Sequence, residues 1–126
     1  MNKDTSNKPS FYQRGASLIV NKQVVPLIKK ITTLGRNLKN DLVFHEALLS
    51  RDHAEIVLEG EQYILYDKAS TGGTFVNGKK IERCLLNSGD LISLVNIQIM
   101  FVNNNSSLVG ESLGVTQGLG GLLNED

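Results

Sequence analysis

Cysteine, proline and tryptophan are scarce in this sequence of 126 residues, which has one Cys, two Pro and no Trp. The lone Cys84 excludes a disulfide framework within the chain and is typical of a reducing compartment. Metal-ligand spacings such as C-x-x-C and H-E-x-x-H are missing as well. The sequence therefore predicts a fold held together by its core, with no metal and no cofactor.

The chain also lacks long apolar runs and any net charge. No stretch approaches the ~20 apolar residues that cross a bilayer, and the polar N-terminus lacks the apolar block of a secretion signal, so we expect a cytoplasmic protein. Thirteen basic residues balance thirteen acidic ones, which argues against binding to nucleic acid or to anionic membranes. Eight of the basic residues but one acidic residue lie in residues 1–40. This asymmetry is either a solvated mosaic surface or a local anion site near Arg36 and Lys39.

What the sequence does contain is a series of short segments rich in Val, Ile, Leu and Tyr, separated by turn signals. Their spacing of about eight to twelve residues, without long helical periodicity, predicts an all-β sandwich or barrel. Asn77-Gly78 suits a two-residue hairpin turn, because both residues tolerate positive φ. The predicted strands are Ala16–Val20, Val24–Leu27, Ile31–Leu34, Asp41–Phe44, His53–Leu58, Tyr63–Asp67, Thr74–Val76, Lys80–Ile81, Leu91–Leu94 and Ile97–Phe101.

The predicted strands divide the chain into three parts. Residues 16–102 form the predicted β domain, and the polar residues 1–15 before it are expected to be flexible. Residues 103–126 begin with a run of Asn and Ser and continue as a Gly-rich tail, which is typical of a linker or tether.

Enzymatic signals are weak. Residues 73–80 match G-x-x-x-x-G-K but end in Lys80, where a nucleotide-binding loop needs a Ser or Thr hydroxyl for magnesium and a following helix. Ser50-Arg51-Asp52-His53 brings a Ser, an acid and a His together, but residues so close in sequence give poor geometry for a catalytic triad. We therefore expect a protein that is not an enzyme.

Three polar clusters stand between the predicted strands: Gly35-Arg36, residues 50–53 and residues 70–74. If their loops meet at one end of the fold, they supply two guanidinium groups, several hydroxyls and backbone N–H groups. Those are the groups that bind a phosphate monoester, because Arg offers paired donors and a permanent charge and Gly lets the backbone approach closely. None is a good proton acceptor near neutral pH, so the set suits holding an anion more than transforming it.

Taken in order, these residues resemble the signature of the forkhead-associated (FHA) domain family. The matching residues are Gly35-Arg36, Ser50-x-x-His53 and Asp67-x-x-Ser70-x-x-Gly73-Thr74-x-x-Asn77-Gly78. The resemblance spans roughly residues 16–102 and implies a two-sheet β-sandwich of about eleven mostly antiparallel strands, with the recognition loops at one end. It implies a module that binds phosphothreonine peptides and mediates phosphorylation-dependent interactions in signalling.

The resemblance also implies a role for each residue. Arg36 would pair with phosphate oxygens, Ser50 would donate its hydroxyl, and Arg51 would add charge. Thr71 would contact the phosphate or the peptide backbone. Three further residues would support the site: Gly35, His53, which would brace the Ser50 loop, and Asn77, which would form a turn.

Gly72 departs from the family pattern, since the family commonly has at this position an Asn that grips the peptide backbone. This departure is the best support for the alternative function, a phosphate-independent sandwich that acts as a scaffold or assembly domain. A self-regulatory variant is open too, in which phosphorylated Thr5 or Thr116 occupies the site of the same chain or of a neighbour.

Overall fold

A computed structural model describes residues 15–104 of the chain. Within that range it has eleven β-strands in two sheets, and no helix there is long and apolar enough to span a membrane. The strands are β1 (Ala16–Val20), β2 (Gln23–Pro26), β3 (Ile31–Gly35), β4 (Leu42–Val43), β5 (Ala54–Glu59), β6 (Gln62–Asp67), β7 (Thr74–Val76), β8 (Lys79–Ile81), β9 (Arg83–Leu85), β10 (Leu91–Leu94) and β11 (Ile97–Asn103).

The two sheets have the orders β9-β6-β5-β3-β4 and β2-β1-β11-β10-β7-β8. The pairing of β3 with β4 is parallel, whereas β1 with β2, β3 with β5, β5 with β6, β6 with β9, β7 with β8, β7 with β10 and β10 with β11 pair antiparallel. Two separate sheets confirm the predicted sandwich and exclude the barrel.

Alternating burial explains why these segments form a sandwich. Ala54 and Ile56 of β5 are buried while Glu55 between them is not, and Ile99 and Phe101 of β11 are fully buried around the exposed Met100. Side chains two apart share a face of a strand, so each sheet turns one apolar face inward. The ring centroids of Tyr63 in one sheet and Phe101 in the other are 5.5 Å apart, which places the core between the sheets.

The predicted strands are confirmed with boundary shifts of one or two residues, and one strand was missed. The sequence predicted a strand at Lys80–Ile81 and no further strand before Leu91. The structure instead ends β8 at Ile81 and starts β9 at Arg83, which pairs with β6 in the opposite sheet. Such a short strand, exposed at both ends, carries no apolar alternation from which to predict it.

The Asn77-Gly78 turn is confirmed, because both residues have positive φ and close the β7–β8 hairpin. This hairpin occupies the part of the chain that resembles a nucleotide-binding loop, where such a loop would need a helix. The flexible N-terminal segment and the Gly-rich tail predicted from the sequence lie outside the described residues, apart from the positions that border the domain.

Candidate functional site

Strand registers bring the polar clusters to one end of the five-stranded sheet. Leu34, near the end of β3, pairs with Ala54 at the start of β5, and Ala54 pairs with Asp67 at the end of β6. The chain segments next to these residues, 36–41, 50–53 and 68–73, therefore leave the sheet at the same end. The segment 68–73 then crosses to Thr74 of the other sheet.

Arg36 follows the end of β3 and is exposed, but its side chain is anchored. Its Nε donates a hydrogen bond of 3.0 Å to the carbonyl of Leu49, and its backbone N–H donates to the carbonyl of Ser50, also at 3.0 Å. A guanidinium has donors on Nε and on both Nη groups. The Nη groups have no partner among the described residues, so the anchored side chain keeps paired donors for an external anion.

Ser50 joins two of the loops. Its Oγ accepts a hydrogen bond of 3.0 Å from the backbone N–H of Thr71. A hydroxyl that accepts one bond can still donate its own proton, and Ser50 is partly exposed. Because the Thr71 amide is already used by Ser50, the exposed hydroxyl is the donor that Thr71 can offer an external ligand.

His53 is fully buried beneath these loops. Its Nδ1 lies 3.2 Å from the backbone N of Ser50, which can only donate, so Nδ1 accepts and Nε2 carries the proton. Nε2 then donates to the carbonyl of Gly73 at 2.8 Å. The neutral imidazole thus ties the start of the 50–53 segment to the end of the 68–73 segment, and neither ring nitrogen is left to act as a base.

Asp67 organises the 68–73 segment from below. Its carboxylate accepts hydrogen bonds from the Ser70 hydroxyl at 2.5 Å, from the Ser70 amide at 3.1 Å and from the Thr74 hydroxyl at 2.6 Å. Burial acts to raise the pKa of Asp67, but the hydrogen bonds from Ser70 and Thr74 outweigh it and hold the pKa below its usual value. The Ser70 hydroxyl also accepts from the Gly73 amide at 3.0 Å, which fixes the loop backbone.

Gly35 is required by packing and not by an unusual φ. A Cβ atom at this position would lie 2.1 Å from the Arg51 carbonyl oxygen and 2.7 Å from Nδ2 of Asn40. Without a side chain, Gly35 allows the segments 36–41 and 50–53 to approach closely. The buried Asn40 completes the contact, because its Nδ2 donates to the carbonyls of Arg51 and Asn37 at 2.7 and 3.0 Å.

The remaining predicted residues lie at different distances from this site. The Arg51 side chain is exposed beside Ser50, and Gly72 is exposed next to Thr71. Asn77 lies at the other end of β7, where its side chain donates to Asp90 and accepts from the Leu91 amide. The structure therefore brings the other predicted residues together and leaves Asn77 bracing a turn at the far end of the strand.

Sequence reasoning gave no role to Asn40 or to the Leu49 carbonyl. A buried Asn needs partners for its amide, but which carbonyls it reaches depends on how distant loops pack. Within residues 15–104, no group of three or more His, Cys, Asp or Glu is placed to hold a metal ion.

Comparison with known proteins agrees with this geometry. The family model described as FHA domain matches residues 32–95. An ABC transporter ATP-binding/permease protein of Mycobacterium tuberculosis is 37% identical over 89 residues, which cover 71% of this chain and 10% of that relative. For the next curated relatives the matched part reaches 56% of their length, so the chain spans about half or less of these relatives.

Two solved structures are similar in fold and in sequence. Mycobacterium tuberculosis EmbR in complex with a low-affinity phosphopeptide has a TM-score of 0.70 and 33% identity, covering 72% of this chain and 25% of that one. A structure from an analysis of phosphothreonine-dependent FHA domain interactions has a TM-score of 0.66 and 27% identity, covering 69% of this chain and 94% of that one. The identities of 33% and 27% show that this chain is similar to both structures in its amino-acid sequence as well as in its fold.

Proposed function

The chain belongs to the FHA domain family, and we propose that it binds proteins that carry phosphothreonine and so links them in a phosphorylation-dependent way. The relatives described above as bound to a phosphopeptide or as phosphothreonine-dependent support this function. The proposal concerns the FHA domain. It does not extend to the activity or the partners of a longer protein that contains such a domain.

The observation that carries the proposal is the convergence of Arg36, Ser50 and Thr71 at one end of the sandwich. Arg36 would hold phosphate oxygens through its two Nη groups, because a charge-assisted pair with a planar fork is the strongest contact available to a dianion. The Ser50 hydroxyl would donate a further hydrogen bond, and the Thr71 hydroxyl would contact the phosphate or the peptide backbone. Arg51 would add positive charge beside them.

We further propose that the site binds without catalysing a reaction. Histidine is the most common general base in enzymes, but both ring nitrogens of His53 are bonded within the buried support of the loops. The Ser50 hydroxyl accepts a hydrogen bond from the Thr71 amide and makes none to the imidazole, whose Nδ1 accepts from the Ser50 backbone N–H instead. The imidazole is therefore not placed to activate the Ser50 hydroxyl, and the site suits holding an anion.

Replacing Arg36 by Ala tests the function. We expect phosphothreonine-peptide affinity to fall by at least tenfold, since loss of a charge-assisted pair costs a complex roughly 2–5 kcal/mol when it is desolvated. The thermal transition should move little, because Arg36 is exposed and its side chain makes one hydrogen bond within residues 15–104, which contributes about 0.5–1.5 kcal/mol. Calorimetric titration and thermal denaturation of the same samples measure the two effects.

Lys39→Ala is the matched control, because Lys39 is an exposed cation on the same loop. It should weaken binding far less than Arg36→Ala if Arg36 holds the phosphate and does not simply contribute charge. Phosphothreonine, phosphoserine and unphosphorylated peptides of one sequence complete the test. Equal affinity for the phosphorylated and unphosphorylated forms, or a natural complex that survives phosphatase, would instead establish the phosphate-independent assembly function.

Other predictions from the sequence stay predictions. They are a cytoplasmic location, the lack of nucleic-acid and membrane binding, and the roles of Gly72 and Asn77. The self-regulatory variant also stays open, because Thr5 and Thr116 lie outside the described residues.

A further inference from the structure

Lys80 lies beside the end of the segment 68–73, which we call the recognition loop. It belongs to β8 and pairs across the strands with Phe75. Its Cε atom lies 3.2 Å from the point where a Cβ atom on Gly73 would sit, and Cε1 of Phe75 lies at the same distance. Gly73 has a φ of +88° and no side chain, so the aliphatic stem of Lys80 rests where a larger residue would exclude it.

The ammonium group of Lys80, one bond beyond Cε, has no partner within residues 15–104. The ion pairs of that part of the chain join Lys29 to Asp41 and Lys68 to Glu55. Lys68, the cation within the recognition loop itself, is therefore already paired, whereas Lys80 keeps its full charge available beside the loop. A cation held near a binding surface by its packed stem can recognise a carboxylate of a partner.

The position of Lys80 also decides what it would contact. The phosphate is assigned to Arg36 and Ser50, on the segments that leave the five-stranded sheet, whereas Lys80 approaches from the six-stranded sheet and reaches the loop at Gly73. Between the two lies Gly72, which has no side chain to offer a peptide. If Arg36 and Ser50 hold the phosphate, the peptide residues that flank the phosphothreonine would lie near Gly72 and Lys80.

We propose that Lys80 selects phosphopeptides that carry an acidic side chain close to the phosphothreonine. This inference rests on the proposed function and adds a selectivity that the phosphate contacts do not supply. An exposed ion pair contributes about 0.2–1 kcal/mol, which corresponds to a preference of about 1.4- to fivefold for an acidic over a neutral residue. At low salt we expect the upper part of this range, about two- to fivefold.

The experiment uses the full chain and short phosphothreonine peptides in which a single Glu, or in the matched set a single Gln, occupies each flanking position in turn. Fluorescence anisotropy gives the Glu/Gln affinity ratio at every position for wild type, Lys80→Ala and Lys79→Ala. We expect one position with a two- to fivefold preference for Glu that is lost in Lys80→Ala and kept in Lys79→Ala. Lys79 is the control because it is an exposed cation on the same strand, paired opposite Val76 instead of Phe75.

Charge reversal provides a second variant. Lys80→Glu should prefer a Lys-bearing peptide at the position where wild type prefers Glu, and high salt should diminish both preferences. A Glu preference that survives in Lys80→Ala, or that is missing from wild type while phosphate dependence is retained, would overturn the role of Lys80 alone. Loss of phosphate dependence in wild type would overturn the proposed function and this inference together.

Discussion

At the scale of single residues, the site residues combine hydrogen bonds within the protein with donors that remain available to a ligand. Arg36 gives Nε to a carbonyl and keeps its Nη groups, and Ser50 accepts from Thr71 and keeps its proton. An anchored donor loses less side-chain entropy on binding than one that moves freely. The contacts within the protein thus prepare the remaining donors for an anion.

Gly35 is a position where even a methyl group should destabilise the fold. We expect Gly35→Ala to lower the free energy of unfolding by roughly 1–3 kcal/mol, as overpacking does, because the added Cβ would meet the backbone oxygen of Arg51 at 2.1 Å. Displacing that carbonyl would also break its bond from Asn40. Urea denaturation measures the change.

Gly72→Ala is the control for this prediction, because a Cβ at Gly72 meets its nearest atom, Cγ2 of Val95, at an ordinary 3.5 Å. Its unfolding midpoint should stay close to that of wild type. If both alanine variants unfold at the same denaturant concentration, the close approach at Gly35 is not what fixes a glycine there.

At the scale of elements, the loop between β6 and β7 carries part of the proposed recognition surface, although it has no regular structure. Asp67 and Ser70 set its backbone, and His53 holds its end through the Gly73 carbonyl. Loops positioned by a rigid scaffold are where binding residues concentrate. Here the scaffold includes the half-buried carboxylate of Asp67 with its hydrogen bonds and the buried imidazole of His53, as well as the sheets.

Gly72→Asn tests whether this loop lacks a peptide contact. The site has room for a side chain, and Asn at this position is what the family pattern predicts to grip the peptide backbone. We expect phosphopeptide affinity to rise about twofold to tenfold, since one hydrogen bond contributes about 0.5–1.5 kcal/mol. Titration with the peptides used for Arg36→Ala measures the gain.

Gly72→Ala again serves as the comparison, because it fills the same space without an amide. An equal gain in both variants would show that reduced loop flexibility, and not a new hydrogen bond, is responsible. No gain in Gly72→Asn would mean that the peptide does not pass this position.

At the scale of the whole molecule, two carboxylates connect the loops at the site to stability in acid. Hydrogen bonds from Lys29 and the Thr33 backbone lower the pKa of Asp41, and the pKa of Asp67 is lowered despite burial. Unfolding restores a value of about 3.9, so the folded state binds fewer protons. Each group therefore stabilises the fold above that pH, and this stabilisation is lost as the pH falls through the folded-state pKa.

We expect the thermal midpoint of the wild type to fall as the pH drops below about 4. Asp67→Asn should be less stable at neutral pH, because an amide cannot accept all the bonds of the carboxylate, and its midpoint should depend less on pH. Thermal scans from neutral pH to about pH 2 measure both effects. Asp52→Asn is the control, since Asp52 is exposed and accepts no hydrogen bond within residues 15–104; a pH dependence reduced equally in both variants would contradict the assignment to Asp67.

Most of the fold could be predicted because its signals are local. Alternating apolar residues determine strands such as β5, and Asn77-Gly78 determines its hairpin through the φ values it tolerates. The three polar clusters could be recognised because the order and spacing of their residue types can be read directly from the sequence. β9 could not, since it is three residues long and is held by pairing with β6 and not by a pattern of its own.

The amino-acid sequence by itself determined the sandwich, the order of its turns and the residue types that can hold an anion, because each depends on neighbours along the chain. Only the tertiary structure decided which atoms remain free. The Nε2 of His53 donates to the carbonyl of Gly73, Asn40 closes the gap over Gly35, and Lys80 comes to lie beside Gly73. Each contact depends on how separate loops and strands pack against one another, which the pattern of residues along the chain does not specify.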